Sequence, residues 1–396
     1  MIRLFKKTTS KRGNVLAIRD LISDSPVNTG RQYEFDLARA IPVFFLPFVH
    51  TVIECTPVDR IYEPIPFFFN IIIGQPLGAP MFLFAMGACI NFSRNNSPRA
   101  NMTRGLLLFI AGFLMNMWRF LLPYLIGYGV TQDADKFITP LPFRVFGNDV
   151  LQFAGLFFLL FGFLQYIKLK DRWIFVIAAL MSVAGSFIRH FDTGNNAVNI
   201  ALGHFIGTED SAGLYVMSDF PLLNWFIVPL GGYLFGKILS RINDKGKFYK
   251  IIFPIPLIAS VAFFVIEYQL GFGQMASGET LLYSENCYYH ALWYDAIGYI
   301  LFAIGILGVY YFAMKIMPAF LKKFAVSLSR NITRIYVIHW FLVVMFTNVI
   351  LYSIRGTQDL PIAPTLLLSL VIFLITYPLA LLWERFSRKR KESRVS

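Results

Sequence analysis

Apolar residues gather along this chain in ten segments of about 20 residues, separated by polar stretches. An α-helix of that length crosses the ~30 Å hydrocarbon core of a bilayer. The pattern therefore predicts membrane-spanning helices at about 37–55, 74–92, 104–123, 147–167, 173–189, 217–239, 249–268, 290–314, 332–353 and 364–384. We expect one all-α polytopic membrane domain of ten helices over residues 34–385, between basic tails at 1–33 and 386–396.

Composition supports the membrane interpretation and excludes other classes. The mean hydropathy is +0.58, and 15% of the residues are charged; a soluble domain carries about 25%. Three cysteines and no cluster at metal-ligand spacing predict neither a disulfide framework nor a metal site. Residues 1–31 contain no short apolar core, so we expect no signal peptide before the first span.

Lysine and arginine residues alternate between the two sides of the predicted spans. One side collects the basic segments at 1–31, 94–104, 168–172, 241–250, 315–330 and 385–394. The other side holds little more than Arg60, Lys136, Arg144, Arg189 and Arg355. By the positive-inside rule both termini are cytoplasmic. The net charge of +13 is then a topology signal, and we expect no nucleic-acid partner.

The first span carries ionisable residues where lipid tolerates few. Asp36, Arg39 and His50 fall on one helix face, with Arg39 and His50 about 20° apart and separated by a rise of about 16 Å. Such residues usually face a protein interior and serve a function. An imidazole suits acid–base or nucleophilic chemistry near neutral pH, so His50 is the leading catalytic candidate. The alternatives are an interfacial histidine and, for Asp36 with Arg39, a structural ion pair.

Several segments resemble two related families of membrane acyltransferases. Arg39, ten residues and His50 resemble the Arg-x10-His signature of the acyltransferase-3 family. Phe35-Asp-Leu-Ala-Arg-Ala40 resembles the Asp-x-x-Arg-Gly opening of the heparan-α-glucosaminide N-acetyltransferase-like group, with Ala for the final Gly. Four further segments resemble later signatures of these families. They are Gly78–Arg94, Gly147–Leu156, Phe220–Gly236 (with Asn224 where a Pro is usual) and Leu328–His339.

The resemblance implies an integral-membrane acyltransferase that moves an acyl group, most simply acetyl, from cytoplasmic acyl-CoA to a sugar hydroxyl or amine outside. It implies acetyl-CoA as donor, no metal, and catalytic roles for His50, Arg39 and Asp36. Its donor-side candidates are Arg94, Arg99, Arg104, Arg330, Arg334 and His339. The alternatives are inner-loop topology charge for the first three of these arginines and core packing for the histidine.

Acceptor candidates lie near the outer ends of the spans, beside long loops rich in Gly, Asn, Asp and aromatic residues. They are Asn148, Asp149, Gln152, Trp225, Glu267 and Asp295. The first three also fit a helix N-cap with its polar first turn. The others also fit an aromatic belt with interfacial acids.

The expected partners are acyl-CoA, a cell-envelope sugar or glycan and the lipid bilayer, and the sequence leaves the choice between monomer and homodimer open. We expect the protein in the bacterial cytoplasmic membrane. The competing function is a transporter or flippase for a lipid-linked sugar or small metabolite, which would also carry buried polar residues in many spans. The lack of inverted-repeat symmetry disfavours that function. A catalytically inactive scaffold or sensor is the third alternative.

Overall fold

The computed structural model describes residues 21–57, 60, 63–189, 191–208, 218–270 and 289–392, with the backbone alone for 267–270 and 391. Within these ranges the chain is helical, and its extended backbone contacts are isolated bridges such as Ile22 with Ile242. The predicted all-α polytopic membrane fold is confirmed.

The helices follow the predicted order. They are α1 (Tyr33–Cys55), α2 (Pro64–Phe67), α3 (Ala79–Cys89), α4 (Pro98–Asn116), α5 (Leu122–Thr131), α6 (Ala134–Phe137), α7 (Leu141–Phe146), α8 (Val150–Tyr166), α9 (Asp171–Phe187), α10 (Asn196–Leu202), α11 (Leu222–Trp225), α12 (Ile227–Leu239), α13 (Lys245–Ile252), α14 (Pro254–Leu270), α15 (Trp293–Ile316), α16 (Ala319–Arg330), α17 (Ile332–Val344), α18 (Tyr352–Arg355) and α19 (Ile362–Glu392). Short π-helical segments at Phe68–Ile73, Met117–Leu121 and Met345–Leu351 follow α2, α4 and α17.

Each predicted span contains a helix, although the helices differ in length. Seven helical stretches of the described chain are long and apolar enough to cross a membrane: Tyr33–Cys55, Pro98–Thr131, Leu222–Leu239, Lys245–Ile266, Trp293–Ile316, Ile332–Arg355 and Ile362–Arg390. The remaining three predicted spans correspond to the shorter helices Ala79–Phe92, Val150–Tyr166 and Asp171–Phe187.

Small residues bring the helices of the bundle together. A Cβ atom on Gly232 of α12 would lie 2.0 Å from the backbone oxygen of Phe84 in α3, and one on Gly87 would lie 1.8 Å from that of Pro229. Membrane helices associate by such close packing, because lipid gives no hydrophobic drive between them. Gly87 and Gly232 therefore allow the backbones of α3 and α12 to lie in contact.

The start of α1 and the end of α19 lie on the same side of the bundle. Ser329 at the end of α16 donates a hydrogen bond to Asp36 in α1 at 2.8 Å, and Asn331 donates to Glu384 in α19 at 3.0 Å. This arrangement agrees with an even number of membrane crossings from the start of α1 to the end of α19.

Candidate functional site

A cavity of about 240 Å³ opens between the helices beside His50. Its wall follows α1 from Pro42 to Glu54, a rise of about 18 Å. It also follows the first half of α17, the start of α8, and parts of the π-helical segments that contain Asn70 and Arg119. The cavity thus extends along much of the bundle instead of forming a shallow surface depression.

His50 lies in the wall of this cavity and is half-buried. Its ring centroid is 3.9 Å from that of Trp340 and 5.5 Å from that of His339, both on α17. Within the described residues no hydrogen bond holds the His50 imidazole, so its ring neighbours define its orientation. The prediction that this histidine faces a protein interior agrees with its position.

The second imidazole, His339, is fully buried, and its Nδ1 atom lies 3.0 Å from the carbonyl oxygen of Ile335. A carbonyl oxygen only accepts hydrogen bonds, so Nδ1 carries a proton. Nε2 has no hydrogen-bond partner within the described chain and, in the neutral ring, is the nitrogen with the lone pair. The structure thus places a proton-accepting nitrogen, Nε2 of His339, on a ring that neighbours His50.

A buried ion pair adjoins the two histidines. Arg119, 2% exposed, places Nη1 at 2.8 Å from Oδ2 of Asp149. The hydroxyl of Tyr336 donates to the same carboxylate oxygen at 2.9 Å. All three side chains line the cavity. Sequence analysis missed Arg119, although a guanidinium inside the predicted span 104–123 was a signal as strong as His50 in the first span.

The polar group at the start of α8 forms the N-cap that was the alternative to an acceptor site. Asp149 accepts a hydrogen bond from the backbone N–H of Val150 at 2.6 Å, and Gln152 accepts from the N–H of Asp149 at 3.3 Å, as an N-cap requires. Asn148 donates to the carbonyl oxygen of Phe220 at 2.7 Å. Asp149 alone among these predicted acceptor residues also lines the cavity.

Asp36 and Arg39 lie at the other end of α1 and outside the cavity wall. The Asp36 carboxylate pairs with Arg39 at 3.1 Å and with Arg31 at 2.6 Å, and it accepts from Ser329. The polar stripe predicted on α1 is therefore divided, because His50 faces the cavity while Asp36 is engaged by three neighbours. This geometry matches the structural ion pair that was the alternative for Asp36.

The predicted donor-side arginines are dispersed, and none lines the cavity. Arg94 and Arg99 are exposed, and Arg104 lies over the ring of Phe158 at 5.1 Å. Arg330 pairs with Glu384 at 3.7 Å, and Arg334 donates to Asn331 at 3.0 Å.

The other acceptor candidates are separate from the cavity wall. Trp225 is fully buried, and its indole N–H donates to the carbonyl oxygen of Tyr289 at 2.5 Å. It therefore packs in the core, behind the cavity-lining residues Phe220 and Tyr289, and does not line the cavity itself. Asp295 accepts from the N–H of Leu292 at 2.7 Å and caps α15. The side chain of Glu267 lies outside the described residues.

A family model matches more than half of the chain. The model described as "Heparan-alpha-glucosaminide N-acetyltransferase, catalytic" matches residues 31–266, which is more than half of the 396-residue chain. The matched region includes His50, Arg119 and Asp149. No curated protein matches the chain. By its sequence match and its polytopic helical fold, this chain belongs to the heparan-α-glucosaminide N-acetyltransferase catalytic family.

Proposed function

We propose that this protein transfers an acyl group, most simply acetyl, from acyl-CoA at the cytoplasmic side to a cell-envelope sugar or glycan on the other side of the bacterial cytoplasmic membrane. Membership of an acetyltransferase family supports the reaction class. The observation that carries the proposal is the position of His50 in the wall of a cavity that follows α1 over about 18 Å.

The donor would approach from the end of α1 where Arg39 lies. The Arg39 side chain is 28% exposed although it pairs with Asp36, so it can still face an anionic group. The cavity wall begins at Pro42, one helical turn further along. A rise of about 16 Å then separates Arg39 from His50, a distance that an extended thioester arm could span. Asp36 would hold Arg39 in place and take no part in the chemistry.

His50 would supply the chemistry that the acceptor needs. A sugar hydroxyl is a poor nucleophile near neutral pH, and an imidazole can remove its proton or carry the acyl group briefly. In both routes the thioester C–S bond breaks, the thiol leaves, and a C–O or C–N bond forms to the acceptor. The ring contacts with Trp340 and His339 would hold the imidazole during either route.

The test measures thiol release from acetyl-CoA by purified protein in lipid nanodiscs, with glucosamine, glucose and a panel of glycans as acceptors. Transfer to glucosamine without transfer to glucose would identify N-acylation. His50→Ala is expected to reduce turnover by at least about 100-fold. His204→Gln is the matched control, because this histidine lies outside the cavity wall.

The competing transport function gives a different result in the same experiment. A transporter would release no thiol with any acceptor, and it would exchange labelled substrate across vesicles without acyl-CoA. That combination would overturn the proposed function.

A further inference from the structure

We propose that Arg119 is a positioning residue that holds the indole of Trp340 against His50 and so fixes the direction in which the imidazole faces. This inference rests on the proposed function, because it assigns His50 the chemistry. Arg119 is connected to His50 through one intervening ring, that of Trp340.

Arg119 is itself held in place by its neighbours. A guanidinium at membrane depth is costly unless it is paired, so its presence needs a reason. Asp149 pairs with Arg119 at 2.8 Å, and the Tyr336 hydroxyl binds the same carboxylate oxygen. The other oxygen of Asp149 accepts the Val150 N–H at the N-cap of α8. The carboxylate is therefore tied to a helix terminus and fixes the guanidinium with it.

The guanidinium of Arg119 contacts two aromatic rings. The guanidinium carbon of Arg119 lies 4.3 Å from the ring centroid of Trp340 and 4.4 Å from that of Phe120. A planar guanidinium stacks on aromatic faces, and such contacts stabilise most where water is excluded. The anchored cation thus restrains one face of the indole.

The indole of Trp340 in turn contacts the imidazole of His50. Their ring centroids lie 3.9 Å apart at an interplanar angle of 37°. Because no hydrogen bond from the described residues orients the imidazole, this contact is its closest restraint from α17. A loose indole would let the imidazole rotate, and small misplacements of a reacting group can lower a rate by about 100-fold.

Arg119→Lys separates stacking from charge. The ammonium keeps the positive charge beside Asp149 but lacks the planar face that packs on Trp340. Trp340→Phe keeps a smaller aromatic face, and Trp340→Leu removes it. Arg144→Lys is the matched control for the change in side chain, because Arg144 also lines the cavity but lies over Phe120, at 5.6 Å.

Two readouts are taken on the full-length protein in nanodiscs. One is turnover of acetyl-CoA with glucosamine. The other is the rate at which diethyl pyrocarbonate modifies His50, followed by peptide mass spectrometry, which needs neither donor nor acceptor. For Arg119→Lys we expect kcat to fall about tenfold with KM for acetyl-CoA within about twofold of wild type. We expect modification of His50 to become about threefold faster.

Trp340→Leu should exceed these changes, Trp340→Phe should lie between it and wild type, and Arg144→Lys should leave the modification rate of His50 unchanged. A lower kcat with unchanged modification of His50 would overturn the inference, because Arg119 would then act on the substrate directly. Unchanged values of both readouts would overturn it as well. If the wild-type protein turned over no acetyl-CoA, the proposed function would fail, while the modification rates would still decide the role of Arg119.

Discussion

The ion pair between Arg119 and Asp149 allows a sharp test of what holds the cavity wall together. Asp149→Asn removes the negative charge and retains a side chain that caps a helix as well as aspartate does. Asparagine has a single oxygen, so when that oxygen accepts the Val150 N–H, the amide N–H₂ faces the Tyr336 hydroxyl and donates to it. The substitution therefore removes the charge pair and retains the cap of α8, with the hydrogen bond to Tyr336 reversed in direction.

The expected effect follows from the burial of both partners. Arg119 is 2% exposed, and the side chain of Asp149 is 9% exposed, so water screens neither charge well. Breaking a buried pair by removing one partner costs about 3–5 kcal/mol, because the remaining charge loses its compensation. In thermal unfolding this corresponds to a fall in Tm of about 3–10 °C.

The assay is thermal unfolding in nanodiscs for Asp149→Asn, Arg119→Gln and the double variant. The double variant carries no charge at the site and should recover at least half of the loss seen in either single variant. Asp244→Asn is the matched control, because Asp244 also caps a helix but pairs with Lys247 at the surface, at 3.7 Å. Its Tm should stay within about 1 °C of wild type.

Two results would refute this reasoning. If Asp149→Asn kept the wild-type Tm, the ion pair would contribute nothing that the neutral hydrogen bonds do not. If the two single losses simply added in the double variant, the residues would not be coupled, and the destabilisation would come from separate contacts.

Three further predictions concern other parts of the chain. His339→Asn keeps a donor for its backbone carbonyl but removes the Nε2 atom, and it should lower acyl transfer about 100-fold if that atom takes a proton; wild-type turnover would assign this histidine to packing. Gly232→Ala should lower the free energy of unfolding by about 1–3 kcal/mol or more, because the new Cβ meets a backbone oxygen at 2.0 Å. Gly129→Ala is the control, because a Cβ there meets open space and should not destabilise the protein. Denaturant unfolding compares the two variants. A hydrogen bond from Tyr352 lowers the pKa of Asp133, so the stability this carboxylate contributes is complete above its unfolded pKa of about 3.9 and is lost as the pH falls through the lower folded value. Tyr352→Phe should therefore flatten the loss of Tm between about pH 5 and pH 3, and an unchanged slope would contradict this assignment.

The helices were predictable because the bilayer imposes their length and composition. A run of apolar residues such as 104–123 must become a helix in lipid, where every backbone polar group needs an internal partner. His50 was predictable for the complementary reason, since an imidazole inside an apolar run needs a protein neighbour or a function. Arg119 meets the same criterion and could have been found by it.

The grouping of residues was less predictable. The helical periodicity of α1 predicts similar angles for Asp36, Arg39 and His50, but a shared angle does not show what packs beside each residue. Asp36 is surrounded by Arg31, Arg39 and Ser329, whereas His50 meets Trp340 from a helix nearly 300 positions later in the sequence. Contacts between such distant segments depend on how the helices pack, which local pattern does not specify.

The three π-helical segments carry buried polar side chains at or beside this cavity. The segments Phe68–Ile73 and Met117–Leu121 contain one buried polar residue each, Asn70 and Arg119, and Met345–Leu351 contains two, Thr347 and Asn348. Asn70 and Arg119 line the cavity, and Asn348 donates to Glu54, which lines it too, at 2.9 Å.

A π-bulge adds a residue to a turn and changes the direction of the side chains around it, and such bulges occur often at functional sites. In a lipid-facing helix this change can bring an isolated polar residue inward while its apolar neighbours stay in contact with lipid. Periodicity at 3.6 residues per turn assumes a regular helix, so it misplaces residues at these points. The π-helical segments thus add Asn70 and Arg119 to a cavity wall to which regular helices supply other polar residues, among them His50, Glu54 and Tyr336.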